Sequence, residues 1–386
     1  MKKRLFSCRA EIATLAAMAA IVLAVLAFGG LGDGAFQMFT ANGITYPTAT
    51  VDKVLSEDLQ AEEGTGRYLG SQTLLVTLHG GKRDGEQVEV VNNIAADHNV
   101  LARVGGRVVV KAENQEGLEP FYSVFNYDRA PGITALVVVF AACMALVGGT
   151  KGVRSLLGLA FALFMVVAFL LPAIYGGASP IAMGLVTAVA VTVSSMVLLN
   201  GWSAKTGAAI ASTTLGLGAA VAVYLVFSAL LHVSGYNQEG AEELIIIQQG
   251  TGLDVYGTLF TGVLIASLGA VMDMCMSIAT SLFEIRAMHT EMPVRGLVVS
   301  GFAIGRDMIG TMCQTLILAF TGSSLTSLLV LISYGVDVNQ LLSSDYMAIE
   351  LLHSFVGGIA VVLCVPITAA VCALVAGRGA RGEAGA

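Results

Sequence analysis

Asp273, Arg306 and Asp307 lie deep inside apolar stretches of the chain, and they are its residues best suited to chemistry. The first stretch reads GVLIASLGAVMDMCMSIATSLFEI and the second VVSGFAIGRDMIGTMCQTLILAF. A charge at that depth in a bilayer is unfavourable by roughly 2.5–3.5 kcal/mol on insertion scales, so it faces protein or water rather than lipid. Gly269, Asp273, Ser277, Thr280 and Glu284 are spaced 4, 4, 3 and 4 apart, which puts them on one face of a helix. Ser300, Asp307, Thr311, Gln314 and Thr321 share a face on the next. Two carboxylates on such faces suit the binding of a cation or a proton. Arg306 would set their charge balance, and Ser277, Thr280, Thr311 and Gln314 would supply neutral ligands. Arg306 stands one position before Asp307, about 100° away around the helix, so Asp273 or Glu284 is its better partner.

Other chemistries draw on the same residues. A buried Asp273–Arg306–Asp307 ion-pair network would fix helix register and carry nothing. A pair of aspartates on adjacent helices also suits a diaspartyl protease, in which one carboxylate activates water and the other donates a proton. However, GRD is not the GxGD of those enzymes, and a neighbouring arginine keeps both groups ionised, so no enzyme is expected. Seven methionines from Met272 to Met312, with Cys275 and Cys313, would suit copper(I). Methionine is also a common apolar filler, and the metal content is left unknown. Glu350 and His353 mark a weaker candidate site at the outer start of the last apolar run, and His232 reads as an interfacial histidine. No cofactor is called for.

The elements that must position these residues follow from composition. Of 386 residues, 56% are hydrophobic and 12% charged, and the mean hydropathy is +0.80. Soluble domains carry about 25% charged residues, so the expected fold class is an α-helical polytopic membrane protein whose first partner is the lipid bilayer. Apolar runs near 12–28, 132–149, 155–174, 181–199, 206–231, 256–283, 297–334 and 351–376 predict about eight transmembrane helices. The run 297–334, interrupted by TGSSLTS, is expected to be a discontinuous helix or a crossing with a re-entrant piece. Twelve lysines and arginines lie outside residues 31–130. If the N-terminus is cytoplasmic, all but Arg306 fall on the cytoplasmic side of eight crossings, as the positive-inside rule requires. This implies cytoplasmic N- and C-termini and an extracytoplasmic segment 31–130. We favour an uncleaved N-terminal anchor over a signal peptide.

The organisation expected is therefore a membrane anchor at 1–30, a β domain at 31–130, a seven-span domain at 131–376 and a disordered cytoplasmic tail at 377–386. Within the β domain, TATVDKVL, TLLVTLH, EQVEVVNN, GRVVVKA and FYSVFNY read as five short strands between turns, which suggests a small OB- or SH3-like barrel. Its 14 acidic and 8 basic residues between Asp33 and Arg129 exclude nucleic acid as a natural partner. A small solute or cation remains as cargo for the helical part, and a protein is a possible partner of the external barrel. None of the six cysteines falls in the β domain, so no disulfide framework holds it.

The pairing of SLGAVMDMCMSIATSLFEI with GRDMIGTMCQTLILAFTGSSL, followed by HSFVGGIAVVLCVPITA, resembles the YibE/F family of bacterial multi-pass membrane proteins. The order of anchor, β-rich domain and further spans is similar too. Cys313 and Gln314 stand where hydroxyl- or amide-bearing residues are expected. The resemblance implies this architecture and a bacterial inner-membrane location. It does not choose between a permease and a non-transporting scaffold whose external domain recruits a partner.

Overall fold

The computed structural model describes residues 2–28, 43–80, 83–114, 120–234, 236 and 241–383. The chain forms two compact units, one of residues 37–146 and one combining 1–36 with 147–386.

The first unit is a β-barrel. A two-residue strand β1 (Ile44–Thr45) precedes β2 (Thr48–Ala61), β3 (Tyr68–His79), β4 (Gln87–Ile94), β5 (Arg107–Glu113) and β6 (Phe121–Tyr127). The five segments expected to be strands become β2 to β6. The sheet runs β1-β5-β2-β3-β4-β6 and closes through a β5–β6 pairing. All pairs are antiparallel except β4 with β6, where Val91 aligns with Ser123. The exchange of the last two strands in this order is a Greek-key closure of the OB type. Alternation in sequence sets what faces inward: Leu74, Val76 and Leu78 on β3, Val88 and Val90 on β4, and Val108 and Val110 on β5 fill the interior. Each fully buried side chain of this size contributes about 1.5–3 kcal/mol relative to exposure. Gln72 is buried among them and is fully engaged. It donates to Glu57 Oε2 at 2.8 Å and Ala102 O at 3.2 Å, and it accepts from Asn92 Nδ2 at 2.9 Å and the Ala102 N–H at 3.1 Å.

The second unit is helical. The helices are α1 (Lys2–Phe28), α2 (Ala130–Phe164, which enters from the barrel unit), α3 (Leu171–Tyr175), α4 (Pro180–Asn200), α5 (Ala204–Leu230), α6 (Ala241–Thr251), α7 (Val255–Met288), α8 (Val294–Ser323), α9 (Leu325–Ser333), α10 (Val338–Leu342) and α11 (Asp345–Glu383). A π-helical turn at Met165–Leu170 joins α2 to α3. Local chemistry starts several of them. Ser203 caps α5 by accepting from the Thr206 N–H at 3.1 Å, and Asp254 caps α7 by accepting from the Gly257 N–H at 3.0 Å. The helix α11 is central and packs on α5, α7 and α8. Small residues allow the approach: Gly216 of α5 lies against Cys364, and Gly301 and Gly305 of α8 lie against Ala369 and Val365. The helix α1 joins the unit through buried Thr14, Met18 and Val25, with Trp202 Nε1 donating to Thr14 Oγ1 at 3.2 Å.

The chain is thus a polytopic helical membrane protein with a small barrel domain. Among the described residues, five helices are long and apolar enough to cross a bilayer, or six if α8 and α9 form one span, fewer than the eight expected. The apolar runs 132–149 and 155–174 fall on two helical segments that meet at Gly149, within the stretch Ala130–Tyr175, where the backbone leaves helical geometry (φ 54°, ψ −137°). The N-terminal apolar run falls on α1, a helix of 27 residues whose described apolar part covers Ile12–Leu26. The interrupted run 297–334 is a discontinuous helix: α8 and α9 meet at Ser324 with a bend of 57°. The helix α11 continues to Glu383, so helical backbone extends into the segment 377–386, of which 384–386 lie outside the described residues. The chain upstream of the barrel, 29–42, is outside them as well.

Candidate functional site

The stripe on α7 is continuous and faces outward from the helical unit. Gly262, Ala266, Gly269, Asp273 and Glu284 are exposed and Ser277 and Thr280 half-buried, while Val271, Met274, Cys275, Ile278, Ala279 and Leu282 are buried on the opposite side. Periodicity alone defined this face, because the inward positions of α7 are apolar and the outward ones small or polar.

The helix α8 repeats the arrangement. Leu297, Gly301, Gly305 and Leu316 turn inward, and Arg306, Asp307, Thr311 and Gln314 turn outward and are exposed. The two faces are fixed by GFAIG, whose glycines, four residues apart, let α8 lie close to α11 and leave the following Arg306 and Asp307 outside.

Neither stripe is used up inside the chain. Asp273, Glu284, Arg306, Asp307 and Gln314 have no hydrogen-bond or ion-pair partner among the described residues. Arg306 makes neither of the pairs expected of it, with Asp273 or with Glu284, since the long side chains point away from the packed core. The ion pairs Arg67–Glu62, Arg83–Glu86, Arg107–Asp128 and Lys111–Glu113 all belong to the barrel. Thr311 Oγ1 donates to the Met308 carbonyl at 3.0 Å, a bond within its own helix. The methionine-rich segment is divided in the same way, with Met274 fully buried in the core. Cys275 accepts from Thr368 Oγ1 at 3.2 Å, and Cys313 Sγ donates to the Gly358 carbonyl at 3.5 Å. Among the described residues, no group of three or more His, Cys, Asp or Glu side chains gathers.

Glu350 and His353 belong to a different cluster, at the α8/α9 break. Ser324 has φ −91° and ψ 3°, outside helical values, and its hydroxyl donates to Glu350 Oε2 at 2.5 Å. Ser323, Ser324, Ser327, Tyr346, Glu350 and His353 surround a cavity of about 210 Å³. His353 Nε2 is buried without a hydrogen-bond partner, and its ring lies 6.2 Å from that of Phe320. Ser324 was not singled out from sequence. The signal for it was there, in a break within an otherwise unbroken apolar run, downstream of which glutamate and histidine stand three residues apart.

In the barrel, a separate cleft of about 780 Å³ opens between Tyr46, Leu78, His79, Arg83 and Tyr122. Arg83 donates to the Tyr122 hydroxyl at 2.9 Å across its wall. At the rim of the fold, the Thr65 hydroxyl and then Arg67 hold the Glu62 carboxyl below its ordinary range, and Glu113 raises the Lys111 ammonium.

No curated protein matches the chain. No solved structure matches it either. A family model described as YibE/F-like protein matches residues 136–378, which holds both stripes and the α8/α9 break and leaves out the barrel. A match over that share of its length makes this chain a member of the YibE/F-like protein family.

Proposed function

We propose that this chain is a non-enzymatic permease or channel of the bacterial inner membrane for a small solute or cation, with a polar path along α7 and α8. In this reading Asp273 and Asp307 bind the cation or proton and Arg306 sets the local charge. Ser277, Thr280, Thr311 and Gln314 supply neutral oxygen and amide groups, and Glu284 extends the path. The observation that carries it is the lack of any partner among the described residues for Asp273, Arg306 and Asp307. A structural network would spend these charges on one another, and unspent charges at membrane depth call for water or cargo. With eight crossings, the distribution of lysine and arginine favours cytoplasmic termini and an extracytoplasmic barrel.

The test is reconstitution into liposomes with a panel of monovalent and divalent cations, read by ion-sensitive dyes. Flux in the wild type, lost in Asp273→Asn and in Asp307→Asn, supports a permease. Flux that persists unchanged in both variants rejects this path. A chain that moves nothing in any form is a scaffold, the second reading, which the open cleft of the barrel favours as a place for a protein partner.

A further inference from the structure

The α8/α9 break gathers groups that the stripes do not use. Discontinuous helices in membrane proteins expose main-chain polar groups at the break, and half-helix C-terminal ends there coordinate cations. Here α8 ends at Ser323, and its last carbonyls carry the negative end of the helix dipole toward the break. Glu350 and His353 stand three residues apart on α11, so their Cβ atoms are about 5–6 Å apart on one face. That is a span one metal ion can bridge, and Glu-x-x-His is a pattern that helical bundles use for metal. The Ser324 hydroxyl already holds one oxygen of the Glu350 carboxylate at 2.5 Å.

The imidazole is the informative group. Left alone, a buried nitrogen without a partner costs about 1–3 kcal/mol. His353 lines a cavity of about 210 Å³ shared with three serines, a tyrosine and the glutamate, and its buried Nε2 is left with an unused acceptor or donor position beside that space. At about 30 Å³ per water, the cavity admits an ion with part of its hydration shell.

We propose that the Ser324–Glu350–His353 cluster binds a divalent transition-series cation, ligated by the Glu350 carboxylate and His353 Nε2, with the Ser324 hydroxyl and water completing the shell. Nitrogen beside a single carboxylate favours this class over calcium or magnesium, which take all-oxygen shells. Two strong ligands with water suit a site that releases its ion. The cluster's role as a cargo station rests on the permease reading, whereas the binding itself does not.

The experiment uses the full-length chain in detergent, free of any polyhistidine tag. Zn²⁺ is titrated by calorimetry, and Co²⁺ is added in parallel to read its visible ligand-field bands. The expected result is saturable one-to-one Zn²⁺ binding, a Co²⁺ spectrum displaced by Zn²⁺, and no response to Ca²⁺. Glu350→Gln and His353→Gln should each weaken binding by about 10–100-fold or more, and Ser324→Ala by less. His289→Gln, which alters an exposed histidine elsewhere, should leave binding unchanged. Wild-type protein without saturable Zn²⁺ binding overturns the proposal, as does a His353→Gln variant that elutes like the wild type and binds equally well. The wild-type Co²⁺ spectrum decides the matter even if a variant fails to fold. Flux without Zn²⁺ binding rejects this site alone, and Zn²⁺ binding without flux rejects the permease alone.

Discussion

Gly301 of α8 lies so close to Ala369 of α11 that a Cβ on the glycine would sit 2.9 Å from the alanine methyl carbon and 3.0 Å from Leu282 Cδ1. Gly305, one turn on, meets Val365 in the same way. Gly305→Leu should therefore destabilise the helical unit by about 1–3 kcal/mol through overpacking. Unfolding in mixed micelles measures this, with exposed Gly310→Leu, which meets open space, as the comparison. Equal loss at both positions would contradict the close approach.

Among the described residues, Asp273 and Asp307 take part in no ion pair. Breaking a buried pair costs about 3–5 kcal/mol because the surviving charge is stranded. Asp273→Asn and Asp307→Asn should instead leave stability within about 0.5 kcal/mol of the wild type. The same micelle unfolding reads this, and a loss of several kcal/mol would point to a structural network.

Gln72 is the polar centre of the barrel, with four hydrogen bonds in a fully buried position. Gln72→Leu leaves the Ala102 N–H without its acceptor and should cost about 1–3 kcal/mol. Hydrogen exchange of β3 and β4 amides in the intact chain should accelerate, and unchanged protection would contradict the role assigned to Gln72.

The barrel surface has opposite pH dependences at two of its described ion pairs, Arg67–Glu62 and Lys111–Glu113. Glu62 has its folded pKa depressed, chiefly by the Thr65 hydroxyl and then by Arg67. Its contribution is present above the ordinary carboxylate range and is lost as pH falls through the folded value. Lys111 has its pKa raised by Glu113. Its contribution is present below the ordinary lysine range and is lost as pH rises through the folded value. Side-chain NMR titration checks both directions, and Thr65→Ala should move Glu62 back up.

The five main strands and both stripes could be read from sequence because they rest on local period: two for Leu74, Val76 and Leu78, and about 3.6 for Asp273, Ser277, Thr280 and Glu284. What period cannot supply is direction. It told which residues of α7 share a face but not that this face lies outside, because packing by Gly216, Gly301 and Gly305 decides which side of each helix is covered. The pairing of Ser324 with Glu350 joins residues 26 apart in sequence. It depends on the angle between α8 and α9, which no spacing encodes. Among the described residues fewer helices than the eight expected have the length and composition of a span, since apolar windows register composition whereas crossings depend on where the backbone bends.

One such bend is at Gly149, with φ 54° and ψ −137°, inside the 46-residue run from Ala130 to Tyr175. Without it the run would be a rod of about 69 Å, more than twice the roughly 30 Å of hydrocarbon it has to fit. Only a residue lacking a side chain holds that backbone geometry at little strain. The course of the backbone through that run is therefore governed by a single hydrogen atom in place of a methyl group at one position.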